Sequence, residues 1–321
     1  MDNRVDWIDS AKGFTMLLVI LGHCLDGYLR AGMFQSHTMW MQWLYNFLYS
    51  FHMPLFFLLS GFLYYYSYHD ASFEKIKNKA LNLIALYFAY SVMQCFIQAA
   101  MAGKINRQVS LSDIFTLPFY TVPPYWYLYV LFFLYIISFY LKPMSMYKFT
   151  AILLACIAST EFAKIELFDI SSVAFYLMYF TLGGVIALFR LDFRFKKIYL
   201  LPLLAISVLI YCFSTQQGVS RILVATSLSF LCLVFFCTIG NFRDVKLFKL
   251  CGKYCLAIYL IHTYLTAGTR VFLKHFQCNS VFIYLAIGMI SGIFVPILVY
   301  KICKKNKYLG QLFNPIKNKH L

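Results

Sequence analysis

The sequence predicts an all-α, polytopic integral membrane protein, and three observations support that prediction. Of its 321 residues, 62% are hydrophobic and only 12% are charged, whereas soluble domains are about 45–50% apolar and about 25% charged. The apolar residues fall into long runs, most of them near the roughly 20 residues that a membrane-spanning helix needs. The basic residues concentrate in alternate loops between the runs. This pattern excludes a disordered chain and an ordinary water-soluble globule.

Ten segments qualify as spanning helices, and together they predict a single transmembrane domain over residues 1–321. The segment 40–66 is long enough to tilt or break, and Pro54 is the obvious place for a kink. The segment 148–163 is the weakest, because it is short and runs into Glu161. The approximate limits are 10–29, 40–66, 80–101, 124–141, 148–163, 172–189, 198–214, 220–240, 252–273 and 280–300.

The distribution of basic residues predicts the orientation of the chain. If the N-terminus is cytoplasmic, ten spans return the C-terminus to the cytoplasm, and 21 of the 28 Lys and Arg residues then lie on the cytoplasmic side. This bias is the positive-inside signal of a membrane protein. It accounts for the formal net charge of +16 without a nucleic-acid partner. We therefore expect a multi-pass protein of the cell inner membrane, with the lipid bilayer as its surroundings.

Polar residues inside the first apolar run are candidate functional residues, because burying them in a bilayer is costly. Lys12 and His23 are eleven residues apart, which is almost three whole turns, so they project from one face about 16 Å apart. Asp9 and Asp26 extend this stripe by three residues at either end. A surface cation and a mid-depth imidazole suit a long, phosphate-bearing substrate. The alternative is that Lys12 only reaches the interface, with Asp9 as its partner.

Other runs contain further candidates. His52 and His262 also fall near mid-membrane, and Tyr259 shares a helix face with His262. Three histidines at one depth on separate helices are candidates to line one cavity, or each is a core histidine bonded to a neighbouring helix. A three-histidine metal site is less favoured because no acidic fourth ligand lies nearby, and we expect no metal. Trp126 is either part of an interfacial aromatic belt or a platform for a sugar ring.

Several of these residues belong to motifs that resemble a known family. The stronger motifs are Asp9-Ser10-Ala11-Lys12-Gly13 with Gly22-His23, and Phe51-His52-Met53-Pro54-Leu55-Phe56-Phe57 with Ser60-Gly61-Phe62. Weaker support comes from Tyr125-Trp126-Tyr127-Leu128 and Tyr259-Leu260-Ile261-His262. On these residues the chain resembles the acyltransferase family 3 membrane proteins, and within them the fucose 4-O-acetylase-like polysaccharide O-acetylases.

The resemblance implies a ten-helix core that transfers an acyl group, usually acetyl from acetyl-CoA, to an extracytoplasmic glycan. It implies that Lys12 matches the basic residue of the family's first helix, which is arginine in many members. It also implies that His23 matches the histidine of that helix. The family's second basic motif is Arg-x-x-Arg, and this chain has Lys79-Ala80-Leu81-Asn82 instead. Asn82 therefore lacks the second charge.

Together with the stripe on the first helix, the resemblance leads to a working mechanism. The phosphates of cytoplasmic acetyl-CoA are expected near four lysines, Lys12, Lys75, Lys77 and Lys79. The thioester then lies near His23, which acts as a general base or carries the acetyl group covalently, two roles that the sequence does not separate.

The remaining candidates are assigned supporting and acceptor-binding roles. Asp26 is expected to orient His23, while His52 and His262 stabilise the carbonyl oxygen or relay a proton. The acceptor, a surface polysaccharide or lipid-linked oligosaccharide, is expected near Trp126 and Tyr259. A membrane transporter or exporter of a glycan or small solute is the alternative function, because polar mid-membrane residues on ten helices suit it as well.

Overall fold

The computed structural model shows a bundle of α-helices. No strand occurs among the described residues, which confirms the all-α prediction. The residues that the structure describes are 6–68, 71–100, 111–142, 144–161, 167–215, 217–239, 246–278 and 280–316. In chain order the helices are α1 (Asp6–Arg30), α2 (Thr38–Tyr68), α3 (Phe73–Ala100), α4 (Trp126–Tyr140), α5 (Met146–Glu161), α6 (Ile170–Leu188), α7 (Leu200–Phe213), α8 (Gly218–Ile239), α9 (Lys246–Lys253), α10 (Cys255–His275) and α11 (Val281–Cys303).

Each of the ten predicted segments coincides with a helix, but the helices differ in their ability to cross a bilayer. Seven in the described part of the chain are long and apolar enough to span it, namely α1, α2, α3, α6, α8, α10 and α11. Helices α4, α5 and α7 have 15, 16 and 14 residues. They therefore extend about 21–24 Å, less than the roughly 30 Å of a hydrocarbon core. The chain is a multi-pass membrane protein, while ten crossings and two cytoplasmic termini stay predictions.

The second helix is longer than its predicted segment and is not broken. α2 runs without interruption from Thr38 through Pro54 to Tyr68. A proline can sit inside a spanning helix when neighbouring groups satisfy the backbone carbonyl that it leaves free.

The predicted ninth segment, 252–273, is divided in the structure. α9 ends at Lys253 and α10 begins at Cys255, with the non-helical Tyr254 between them. A search for apolar runs misses α9 because it is eight residues long and carries three lysines. Their spacing nevertheless places these lysines along one side of the short helix, the pattern of an amphipathic segment. The lysines are Lys246, Lys249 and Lys253.

Close backbone contact between α2 and α6 forms one rigid part of the bundle. A Cβ atom on Gly61 of α2 would lie 1.9 Å from the carbonyl oxygen of Phe180. A Cβ atom on Gly183 of α6 would lie 2.0 Å from the carbonyl oxygen of Leu58. Each helix therefore presents a glycine to the backbone of the other. Small residues at membrane-helix interfaces allow such a close approach of two backbones.

A second reciprocal glycine contact joins α1 to α9. A Cβ atom on Gly13 would lie 1.8 Å from the carbonyl oxygen of Phe248, and one on Gly252 would lie 1.9 Å from that of Asp9. The short α9 therefore fixes the first third of α1, where Lys12 lies. The second half of α1 packs against other helices and borders a cavity.

Candidate active site

A cavity of about 660 Å³ lies beside the second half of α1 and reaches α2, α3, α4 and α10. Five of the residues predicted to be functional line it, and they come from four different helices. These five are His23, Asp26, His52, Trp126 and Tyr259. Residues that are far apart in the sequence are thus brought to one internal space, where a reacting group can be held away from bulk water.

The three candidate histidines lie close together. The ring centroids of His23 and His262 are 5.1 Å apart, although His262 itself does not line the cavity. Tyr49 packs against Gly22, next to His23, and its ring meets His52 edge-on with 4.7 Å between centroids. Helices α1, α2 and α10 therefore present one imidazole each to the same region.

Backbone carbonyls fix which ring nitrogen carries the proton in two of these histidines. The Nδ1 atom of His52 lies 2.5 Å from the carbonyl oxygen of Leu48. The Nδ1 atom of His262 lies 3.0 Å from that of Ile258 and 2.9 Å from that of Tyr259. A carbonyl oxygen only accepts, so Nδ1 donates, and Nε2 of the neutral ring has a free lone pair. Such rings suit proton acceptance better than donation to a carbonyl oxygen.

The Nε2 atom of His262 differs from most buried polar atoms in its hydrogen bonding. It is buried and has no hydrogen-bond partner within the described part of the chain. A buried polar atom is normally hydrogen-bonded, so an unsatisfied one beside a cavity points to a role in binding or chemistry.

No direct contact in the described structure supports the predicted role of Asp26 in orienting His23. Both carboxylate oxygens of Asp26 accept a hydrogen bond from Nε of Arg30, at 2.8 Å each. No hydrogen bond joins Asp26 to His23 in the structure as described. The carboxylate is held by Arg30 in the last turn of α1 instead.

Two tyrosine hydroxyls fasten the start of α4 to α10. Tyr259 donates to the carbonyl oxygen of Pro124 at 2.6 Å, and Tyr125 donates to that of Leu260 at 2.9 Å. Because the Tyr259 hydroxyl is already engaged, its part in the site is to position the turn that precedes Trp126.

Trp126 is held against the cavity by aromatic neighbours. Its ring centroid lies 5.4 Å from that of Tyr176 and 6.0 Å from that of Phe57. The side chain is half-buried and lines the cavity. Its role as a platform for a sugar ring stays a prediction.

The basic candidates lie away from the cavity, and two of them are neighbours. The Lys12 ammonium is 3.9 Å from a carboxylate oxygen of Asp9, and both side chains are about one-fifth exposed, at 22% and 21%. Lys79 on α3 lies within electrostatic range of Lys12 on α1. A pair of half-buried cations is a natural site for phosphate.

The other two lysines lie on exposed surface. The Lys75 ammonium stands 5.5 Å above the ring centroid of Tyr68, and Lys77 lies 4.0 Å from a carboxylate oxygen of Glu74. The structure does not bring them to the pair formed by Lys12 and Lys79.

Asn82, at the place of the family's second arginine, contacts the C-terminal segment. Its Oδ1 atom accepts a hydrogen bond from the backbone N–H of Ile316 at 3.2 Å. Eight residues further along α3, the hydroxyl of Tyr90 donates to the carbonyl oxygen of Leu312 at 3.2 Å. In this chain the position serves to hold the segment that follows α11.

Sequence reasoning missed several polar residues of the cavity lining, among them Gln94, Gln98 and Arg270. The Oε1 atoms of both glutamines are buried and lack a hydrogen-bond partner among the described residues. The sequence feature that could have identified the two glutamines is their spacing of four residues in an apolar run. This spacing places both amides on one face of α3.

A second cavity, of about 1040 Å³, lies near the start of α1. Its lining includes Trp7, Phe62, Arg190 and Arg194. Arg194 is paired with Asp192 at 2.8 Å. Across the described residues, no group of three or more His, Cys, Asp or Glu side chains is arranged to hold a metal ion.

Fold and site together define a polytopic helical membrane protein whose internal cavity meets a cluster of three histidines. The chain belongs to acyltransferase family 3: the family model Acyl_transf_3, described as an acyltransferase domain, matches residues 5–301. This match covers nearly the whole chain and confirms the resemblance found in the sequence motifs. The protein is thus a membrane acyltransferase. No curated protein and no solved structure gives a significant match.

Proposed function

We propose that the protein transfers an acetyl group from cytoplasmic acetyl-CoA to a hydroxyl group of an extracytoplasmic cell-surface glycan. The observation that carries this proposal is the cavity that both His23 and Trp126 line, with the ring centroid of His262 5.1 Å from that of His23. Membership of the family supports acyl transfer in general. The acetyl donor and the glycan acceptor are inferred from the chemistry of the two ends of the site.

On the donor side, the proposal relies on Lys12 and Lys79. Their ammonium groups bind donor phosphates, and α1 then leads from Lys12 to His23 over about 16 Å. A long, narrow donor such as acetyl-CoA can bridge that distance with its phosphates at one end and its thioester at the other. Lys75 and Lys77 add positive charge at the surface from which the donor approaches.

At the centre, His23 acts on the acceptor hydroxyl or on the thioester. As a general base it takes the hydroxyl proton while the oxygen attacks the thioester carbonyl, the C–O bond forms and the C–S bond breaks. As a nucleophile its ring nitrogen takes the acetyl group first and passes it to the hydroxyl. In either case the proton ends on the departing CoA sulfur. The free Nε2 of His262 is placed to relay it.

On the acceptor side, the lining of the cavity suits a sugar. The face of Trp126 stacks against a pyranose ring. The amide oxygens of Gln94 and Gln98 accept hydrogen bonds from hydroxyl groups, which satisfies two buried acceptors that otherwise lack partners.

The proposal is tested with the purified full-length protein and radiolabelled acetyl-CoA. His23→Ala is expected to lower acetyl transfer by about 10²–10⁴-fold, the usual contribution of a positioned acid–base group. His275→Ala is the matched control, because His275 is an exposed histidine at the end of α10 and does not line the cavity. Full activity in His23→Ala, or equal loss in both variants, would contradict the proposal.

A further inference from the structure

Arginine side chains concentrate around the acceptor end of the cavity. Four of the cations predicted to be extracytoplasmic belong to the described residues, and three of them, Arg30, Arg221 and Arg270, line the cavity. The fourth, Lys274, does not. Asp26 is the one carboxylate among the described lining residues, and Arg30 already pairs with it. The lining therefore keeps an excess of positive charge on the side of the membrane where basic residues are sparse.

Arg270 is the most buried of these cations. Only 9% of its surface is exposed. Its Nη1 atom donates to the carbonyl oxygen of Gly27 at 2.7 Å, and a Cβ atom on Gly27 would lie 2.7 Å from the same nitrogen. The glycine thus leaves the space that the guanidinium occupies.

The guanidinium of Arg270 has more N–H donors than its hydrogen bond to Gly27 uses. An arginine side chain carries five N–H donors. No carboxylate lies within ion-pair distance of Arg270 in the described structure, although the charge of Asp26, which already pairs with Arg30, also acts on it. Buried charges are normally paired, because an unpaired one loses its hydration without compensation. A guanidinium that borders a cavity and has only one carbonyl partner is suited to bind an anion from that cavity.

Arg221 places a second guanidinium beside the aromatic platform. Its Cζ atom lies 4.5 Å from the ring centroid of Phe175. The hydroxyl of the neighbouring Tyr176 interacts with Arg221, and the ring of Tyr176 packs against Trp126. A sugar stacked on Trp126 would therefore lie close to positive charge.

We infer that the acceptor is an anionic sugar, bearing a carboxylate or a phosphate group that Arg270 binds while the ring lies against Trp126. This inference rests on the proposed function and adds the charge class of its acceptor. Carboxylate and phosphate share the chemistry that a guanidinium recognises, because both offer two oxygens to its fork of N–H groups.

The test measures binding to the purified full-length protein by calorimetry. The probes form two matched pairs: a glucuronate disaccharide with its carboxyl-reduced glucose counterpart, and glucose 6-phosphate with glucose. At least one anionic probe is expected to bind about tenfold or more tightly than its neutral partner. Arg270→Gln, which keeps a donor for the Gly27 carbonyl, is expected to remove that difference. Lys274→Gln removes a positive charge one turn away on α10 and is expected to keep the difference in affinity between anionic and neutral probes.

Three results would overturn the inference: neutral and anionic probes binding alike, no saturable binding of any probe, or a preference that survives in Arg270→Gln. A rise in the KM for acetyl-CoA without a change in acceptor binding would also overturn it, since Arg270 would then serve the donor phosphates. Binding is measured without acyl transfer. A missing charge preference therefore disproves this inference alone, whereas absent transfer with every acceptor disproves the proposed function.

Discussion

At the scale of single residues, the proposed chemistry uses the Nε2 atom of His262 as a proton relay. Nδ1 donates to carbonyl oxygens of its own helix, while Nε2 is buried and unsatisfied among the described residues. An asparagine at this position keeps an N–H donor near the Nδ1 site but has nothing at the Nε2 site. His262→Asn therefore separates a structural role of the ring from a role in proton transfer.

We expect His262→Asn to lower acetyl transfer by about 10²–10⁴-fold and to leave the unfolding temperature in detergent close to that of the wild type. Transfer rates and thermal unfolding are measured on the same preparation, with His275→Asn as control. Near-normal transfer, or a loss that follows the fraction of unfolded protein, would show that the ring only packs.

The site residues that could be predicted from sequence are those that stand out by type alone. His23 is conspicuous because a polar group in an apolar run is costly to bury, whereas Trp126 also has an ordinary explanation as an interfacial aromatic residue. Gln94 is also polar, but whether it is a site residue depends on which face of α3 borders a cavity. Helix packing decides which face that is. Arg270 was counted only as a charge for orientation. Its contact with Gly27 joins residues more than 200 positions apart.

At the scale of helices, the reciprocal glycine contacts between α2 and α6 set how closely these helices approach. A methyl group on Gly61 or Gly183 would collide with backbone carbonyl oxygens, which cannot move aside as flexible side chains do. We expect Gly61→Ala and Gly183→Ala each to destabilise the protein by about 1–3 kcal/mol, measured by thermal unfolding in detergent.

The control for these substitutions is Gly268→Ala. A Cβ atom on Gly268 meets nothing within 4 Å, and alanine favours a helix more than glycine does, by about 1 kcal/mol. Its stability is therefore expected to be unchanged or slightly raised. Equal destabilisation at Gly61 and Gly268 would mean that helix approach is not what the glycines provide.

Helix limits were harder to predict than helix positions. The apolar run beginning near residue 80 predicted the third helix, but α3 starts at Phe73 because its lysine-bearing first turns are stable as helix without being apolar. The short α9 was missed for the same reason. Its packing against α1 depends on Gly13 and Gly252, a contact that hydropathy does not register.

At the scale of the whole molecule, the proposed function requires two faces, one for the donor and one for the acceptor. The positive-inside pattern predicts that the loop with Asp192 is cytoplasmic and that the end of α10 at His275 is extracytoplasmic. Both residues are exposed. In intact cells a membrane-impermeant maleimide is expected to label His275→Cys above the wild-type background but not Asp192→Cys. Labelling of both, or of Asp192→Cys alone, would contradict this topology.

The most direct test of the central claim is mass spectrometry of the surface polysaccharide from cells that lack this protein. Complementation with the wild-type chain is expected to restore O-acetyl groups, while complementation with His23→Ala is expected to leave them absent, at equal amounts of polysaccharide and of membrane protein. Unchanged acetylation in the deletion strain, accompanied by altered export of the polysaccharide, would contradict acyl transfer at His23 and favour a transporter.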